Sequence, residues 1–140
     1  MNEKKIYFKN KKFLIYGFGK SGNACFNYLK KNNICTIFDD NKKNIPIKFK
    51  KELINIHKLT SVNFDFIVLS PGIDIKKCKI SSYLRQNVSK IITELDIFAI
   101  SYPKINIITI TGTNGKSTTS KLLYEVLKNN KKDVRLTGNI

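Results

Sequence analysis

The chain has 140 residues, with 26 Lys and Arg against 10 Asp and Glu and a formal net charge of +16. That length builds one full core, or one domain and part of another. The charge raises a nucleic-acid reading, but it is nearly all Lys in scattered pairs such as Lys30-Lys31 and Lys76-Lys77, with Arg85 and Arg135 the arginines. Dispersed lysine describes a solvated surface that still attracts anions, so no nucleic-acid partner is expected.

In chain order, Lys12 to Tyr16 reads as a buried strand running into Gly17-Phe18-Gly19-Lys20-Ser21-Gly22. A helix follows to about Lys31, with Ala24, Cys25, Tyr28 and Leu29 facing inward. Ile34 to Phe38 is a second strand ending at Asp39-Asp40. A polar connection holds Pro46, and Leu53 to Ile56 reads as a short third strand. Phe64 to Leu69 is a fourth strand, ending at Ser70-Pro71-Gly72-Ile73. Ile80 to Gln86 reads as helix, Lys90 to Ile92 as a fifth strand and Glu94 to Ile100 as a short helix. Ser101-Tyr102-Pro103 breaks the pattern and marks a boundary between domains at 1–100 and 104–140. The second part opens with a strand at Ile105, then Thr111-Gly112-Thr113-Asn114-Gly115-Lys116-Ser117-Thr118 and a helix to about Asn129. Asp133 to Leu136 reads as a last strand before Thr137-Gly138-Asn139-Ile140. Strands alternating with helices predict an α/β parallel sheet with binding sites at the strands' C-terminal ends.

Two stretches carry chemistry. Gly17, Gly19 and Gly22 form G-x-G-x-x-G between a strand and a helix. Such glycines allow a tight turn and bring a pyrophosphate to the helix N-terminus. Asp39, at the end of the next strand, then suits a ribose hydroxyl or a base N–H. The motif alone leaves NAD, FAD and UDP-sugars open, and an ordinary βα turn gives the same letters. The second stretch has the strand–loop–helix grammar of a phosphate-binding loop, with Lys116 placed for outer phosphates and Ser117 or Thr118 for magnesium. It departs from the strict spacing, because Ile110 stands where a first glycine is expected and only Thr113 and Asn114 separate Gly112 from Gly115. Ser70-Pro71-Gly72-Ile73 alone reads as a plain turn; its place at a strand end leaves a plain turn and a ligand-side loop equally open.

The remaining candidates are structural. Glu94 and Asp96 lie two apart, so they do not share a helix face, and at least one is expected to be a helix-start acid. Cys25, Cys35 and Cys78 contain no C-x-x-C pair and read as buried thiols in a reducing compartment. His57 has no ligand-type neighbour and reads as a surface or strand-end residue. No apolar leader and no run of membrane length appear, so the cytoplasm is expected and a membrane partner is not.

Two nucleotide-type loops in this order, with Ser70-Pro71-Gly72-Ile73 between them and Thr137-Gly138-Asn139-Ile140 after them, resemble the Mur ligases of peptidoglycan synthesis. Asn114 and the N-terminal glycine loop point to the branch that adds D-glutamate. The resemblance implies a Rossmann-like domain that holds the UDP end of UDP-N-acetylmuramoyl-L-alanine, followed by the start of a P-loop ATPase domain. It assigns Gly17, Gly19, Lys20, Ser21 and Gly22 to the pyrophosphate and Asp39 to uracil. Ser70, Gly72 and Asn139 would line the substrate path. Gly112, Thr113, Asn114, Gly115, Lys116, Ser117 and Thr118 would hold ATP, with Lys116 catalytic and Ser117 or Thr118 near Mg2+. The implied reaction forms an acyl phosphate from ATP, which D-glutamate attacks; the full-length enzyme is expected to be monomeric. The chain ends at Ile140, before the family's later metal carboxylate, histidine, carbamylated lysine and D-glutamate domain. A truncated product that binds the UDP substrate without turnover is therefore expected. A stand-alone, non-catalytic nucleotide-binding module is the alternative, and an NAD-dependent oxidoreductase fragment trails it.

Overall fold

The computed structural model describes residues 8–138. The chain divides into two compact units, residues 1–104 and 105–140.

The first unit is built on β1 (Lys12–Tyr16), β2 (Ile34–Phe38), β3 (Phe66–Leu69) and β4 (Ile91–Ile92). They form a four-stranded parallel sheet in the order β2-β1-β3-β4. Phe13 to Tyr16 of the central strand are fully buried, as a parallel strand covered on both faces requires. Phe13 and Ile15 join one core with Cys25, Phe26 and Leu29 of α1 (Lys20–Leu29) and Ile97 of α3 (Glu94–Ser101). Leu14 and Tyr16 join the other with Phe64, Ile67 and Leu84 of α2 (Ser81–Gln86). The two-residue period of β1 thus feeds both layers of a doubly wound, Rossmann-like α/β unit.

Two expectations in this unit are corrected. Leu53 to Ile56 is no strand; Leu53 makes one isolated bridge to Ile37, and the Ile54 N–H donates to the Ile37 carbonyl at 2.9 Å. Flanking 3-10 turns at Ile47–Glu52 and Ile56–Ser61 carry the chain past the β2 edge. Phe49 packs in the α1-side core and Leu59 in the opposite one, so this segment blunts an exposed edge by wrapping it. On α1 the inward stripe is Gly22, Cys25, Phe26 and Leu29, whereas Ala24 and Tyr28 are exposed. A glycine opens that i, i+3, i+4, i+7 stripe, which hides it from a reading by hydrophobicity. The region around Cys78 is half-buried, while Cys25 and Cys35 are buried.

The second unit centres on α4 (Lys116–Asn129). The expected strands at Ile105 and at Asp133 to Leu136 do not form. Ile105, Ile107 and Ile108 are exposed, and among the described residues their backbone has no ladder partner. β-propensity without a partner strand does not make a strand.

Candidate functional site

In the first unit, the chain from β1 goes to β2 on one side and later crosses to β3 on the other, so the strand order reverses between β1 and β3. That switch point is where open α/β sheets bind ligands. The loop after β1 and the turn after β3 meet there. The Gly17 N–H donates to the Phe38 carbonyl at 2.9 Å, and the Ser70 N–H donates to the Tyr16 carbonyl at 3.0 Å. Ser70 Oγ donates to the Gly17 carbonyl at 2.8 Å. Gly17 has φ +87°, and a Cβ there would lie 2.9 Å from the Ser70 Cβ and Oγ. A Cβ on Gly22 would lie 1.9 Å from the Gly17 oxygen. These two glycines are required by close backbone approach, whereas Gly19 and Gly72 face open space.

Helix α1 starts at Gly19 with no side-chain cap and no acid in its first turn. The amides of its first turn therefore have no side-chain acceptor. Gly19 and Lys20 are exposed beside half-buried Ser21. This is the arrangement that accepts a phosphate.

Both carboxylate oxygens of Asp39 accept backbone hydrogen bonds. Its Oδ2 accepts the Phe18 N–H at 2.7 Å, and its Oδ1 accepts the Asn41 N–H at 2.7 Å. The neighbouring Asp40, to which the sequence reading gave no role, accepts the Tyr16 hydroxyl at 2.8 Å on Oδ2. Burial first, then this carboxylate, hold the Tyr16 phenol protonated far above its ordinary range. Lys79 Nζ donates to the Asp40 carbonyl at 3.2 Å, which brings an ammonium to the end of β2. The doublet Asp39-Asp40 was the available sequence clue to this pairing; nothing in the sequence pointed to Lys79. The turn after β3 closes through the Ile73 N–H to the Ser70 carbonyl at 3.0 Å, leaving Pro71 and Gly72 exposed at the cleft.

Glu94 and Asp96 sit in the first turn of α3. Thr93 and Asp96 form a capping box: Thr93 Oγ1 accepts the Asp96 N–H at 3.2 Å, and Asp96 Oδ2 accepts the Thr93 N–H at 2.7 Å. His57 is exposed in a 3-10 turn. Among the described residues no cluster of three His, Cys, Asp or Glu can hold a metal, and no helix is long and apolar enough to cross a membrane.

In the second unit, Gly112 (φ +152°) and Gly115 (φ +74°) shape the loop that starts α4, and that helix start has neither a side-chain cap nor a first-turn acid. The side chain of Lys116 folds back, its Nζ donating to the Gly112 carbonyl and, at 3.2 Å, to the Thr113 carbonyl. Gly112 to Thr118 are all exposed. Asn139 lies outside the described residues.

A glycine loop and a helix start on the switch point of a parallel sheet are the features of a Rossmann-like α/β unit. Residues 11–92 match the family model described as Mur ligase MurD-like, N-terminal domain; the chain belongs to this family. Over 137 residues, 95% of the chain, it is 33% identical to a UDP-N-acetylmuramoylalanine--D-glutamate ligase of Oenococcus oeni, covering 29% of that protein. Proteins of the same name from Rickettsia prowazekii, at 34% over 139 residues, and Haemophilus influenzae, at 36% over 141 residues, also align with 95% of the chain. The chain spans 31% of each of these two.

Proposed function

We propose that this chain is the front portion of an ATP-dependent ligase that joins D-glutamate to UDP-N-acetylmuramoyl-L-alanine for cell-wall synthesis in the cytoplasm. Residues 1–100 are the UDP-substrate domain, and residues 104–140 begin the ATP-binding domain. The observation that carries this reading is the uncapped α1 N-terminus in a glycine loop pinned at the sheet's switch point, in a chain whose relatives bear that ligase's name. Lys20, Ser21 and the loop amides receive the pyrophosphate; Asp39 and the β2 end lie toward the uridine; Gly72 flanks the sugar-phosphate path, and Asn139 is assigned to the same substrate.

The Gly112 to Thr118 loop fits triphosphate binding, with an uncapped helix start, two positive-φ glycines and an ammonium at the loop. Lys116 must exchange its loop carbonyls for phosphate oxygens. The hydroxyls of Ser117 and Thr118 are hard oxygen donors that suit magnesium, which when bound would neutralise phosphate charge. In the complete enzyme the substrate carboxylate takes the γ-phosphoryl group of ATP, releasing ADP. The D-glutamate amine then displaces phosphate and forms the amide. Catalysis by this chain's residues is positioning and charge neutralisation.

Calorimetric titration of the chain with UDP-N-acetylmuramoyl-L-alanine and with NAD tests the first unit. Binding of the UDP compound alone is expected; preference for NAD would overturn the assignment. Mixing with a separately produced remainder of such a ligase should restore ADP release, and Lys116→Ala should abolish that restoration.

A further inference from the structure

Two side chains grip opposite ends of one peptide group in the glycine loop. The carbonyl of the Gly17–Phe18 peptide accepts Ser70 Oγ at 2.8 Å, from the turn after β3. The N–H of the same peptide donates to Asp39 Oδ2 at 2.7 Å, from the end of β2. Asp39 Oδ1 is occupied as well, by the Asn41 N–H at 2.7 Å. The peptide lies between Gly17 at φ +87° and the helix start, and glycine leaves that dihedral otherwise soft. Rotating the plane would aim its carbonyl at the Asp39 carboxylate, so Asp39 selects the orientation, and the Ser70 hydroxyl, which can donate or accept, holds the plane once it is set. Gly22 packs directly against that carbonyl, and no Cβ fits between them. The orientation of this plane therefore sets how α1's first turn meets the cleft.

We infer that Asp39 and Ser70 are positioning residues: together they lock the Gly17–Phe18 peptide and so preorganise the anion-binding start of α1. This role acts through the loop peptide and is separate from any contact that either side chain makes with the nucleotide. Its consequence for nucleotide affinity rests on the function proposed above; the lock itself does not.

Amide hydrogen exchange on the ligand-free 140-residue chain tests it. Asp39→Ala should speed exchange at Phe18 and Asn41 by roughly ten- to hundredfold, the range for a charge-assisted hydrogen bond. Ser70→Ala removes one oxygen and does not touch the Phe18 N–H, yet it should speed Phe18 exchange by about two- to tenfold through release of the shared plane. The β1 amides should keep their protection in both. UDP titrations of the same variants should show weaker binding. An unchanged Phe18 rate in Ser70→Ala overturns the lock, even if Asp39→Ala fails to fold. Lost UDP affinity with unchanged loop exchange overturns it too, and makes Asp39 a ligand contact. Absence of UDP binding by the unsubstituted chain would count against the proposed function, while the exchange rates still decide the lock.

Discussion

Gly22→Ala is the sharpest probe of how the sheet's switch point is packed. The new Cβ would stand 1.9 Å from the Gly17 oxygen, 3.0 Å from the Gly17 carbonyl carbon and 3.2 Å from Ser70 Oγ. The carbonyl must retreat by roughly 1.5 Å to reach ordinary contact distance, an overpacked site. It cannot do so independently. It is held by Ser70 Oγ at 2.8 Å, and the preceding N–H is held by the Phe38 carbonyl at 2.9 Å. Overpacking costs about 1–3 kcal/mol, and a rigid backbone neighbour places this site at the upper end. Alanine returns about 0.5–1 kcal/mol through helix propensity. The net loss expected is about 2 kcal/mol. Urea unfolding followed through the β1 amide signals measures it, with Gly72→Ala as the control. That glycine has no heavy atom within 4 Å of a built Cβ, nor a positive φ, so its stability should stay within about 0.5 kcal/mol of the parent. Equal stability of the two variants would refute the packing argument.

Thr93→Ala removes the hydroxyl that caps α3 and should cost about 1 kcal/mol, read as a lower melting temperature. Hydrogen bonds from the Thr93 side chain and backbone hold the Asp96 carboxyl below its ordinary value, and one from Lys30 does so for Glu52. Depressed folded values give stability that is present above the unfolded pKa and lost as pH falls through the folded one. The unfolded values are 3.8 and 4.5, so both contributions fade below that range. Acid titration of Thr93→Ala should show a shallower loss there than the parent. Burial, aided by the Glu94 carboxylate, pushes the Cys25 thiol up to about 11, and burial pushes Cys35 up to about 12. At pH 8, peptide mapping after iodoacetamide should find half-buried Cys78 labelled first, with Cys25 and Cys35 labelled only after unfolding. Equal rates at all three would contradict the buried placement.

The first unit was legible where the deciding forces are local or strongly periodic. The spans of β1, β2 and α1's start follow from apolar runs meeting glycine and acid at fixed offsets. Phe49 was not legible: it stacks edge-on against Phe18 and Phe26, at 5.0 and 5.4 Å between ring centres, from an irregular segment with no period to read. Phe8 likewise closes a cluster with Phe13 and Phe66 from outside any element. At the strand ends, the placing of glycine, hydroxyl and acid was readable because the apolar runs of β1, β2 and β3 stop there. Their partners were not. That Asp39 faces Phe18, or that Lys79 reaches the Asp40 carbonyl, depends on how three loops far apart in sequence come together.

The second unit separates these two kinds of information within 36 residues. Helix α4 forms over the span read for it, because it depends on its own neighbours. Positive φ at Gly115 turns the chain, and the i to i+4 bonds of α4 begin with the Thr119 N–H on the Gly115 carbonyl at 2.9 Å. Ile105 to Ile110 has a composition as strand-like as β1, yet β1 owes its form to β2 and β3 on either side. A strand's hydrogen bonds run outward, so its sequence supplies only half of the structure. Ile105, Ile107 and Ile108 therefore stay exposed, as do Leu122 and Val126 of α4, and a strand-like composition is not enough to order the segment.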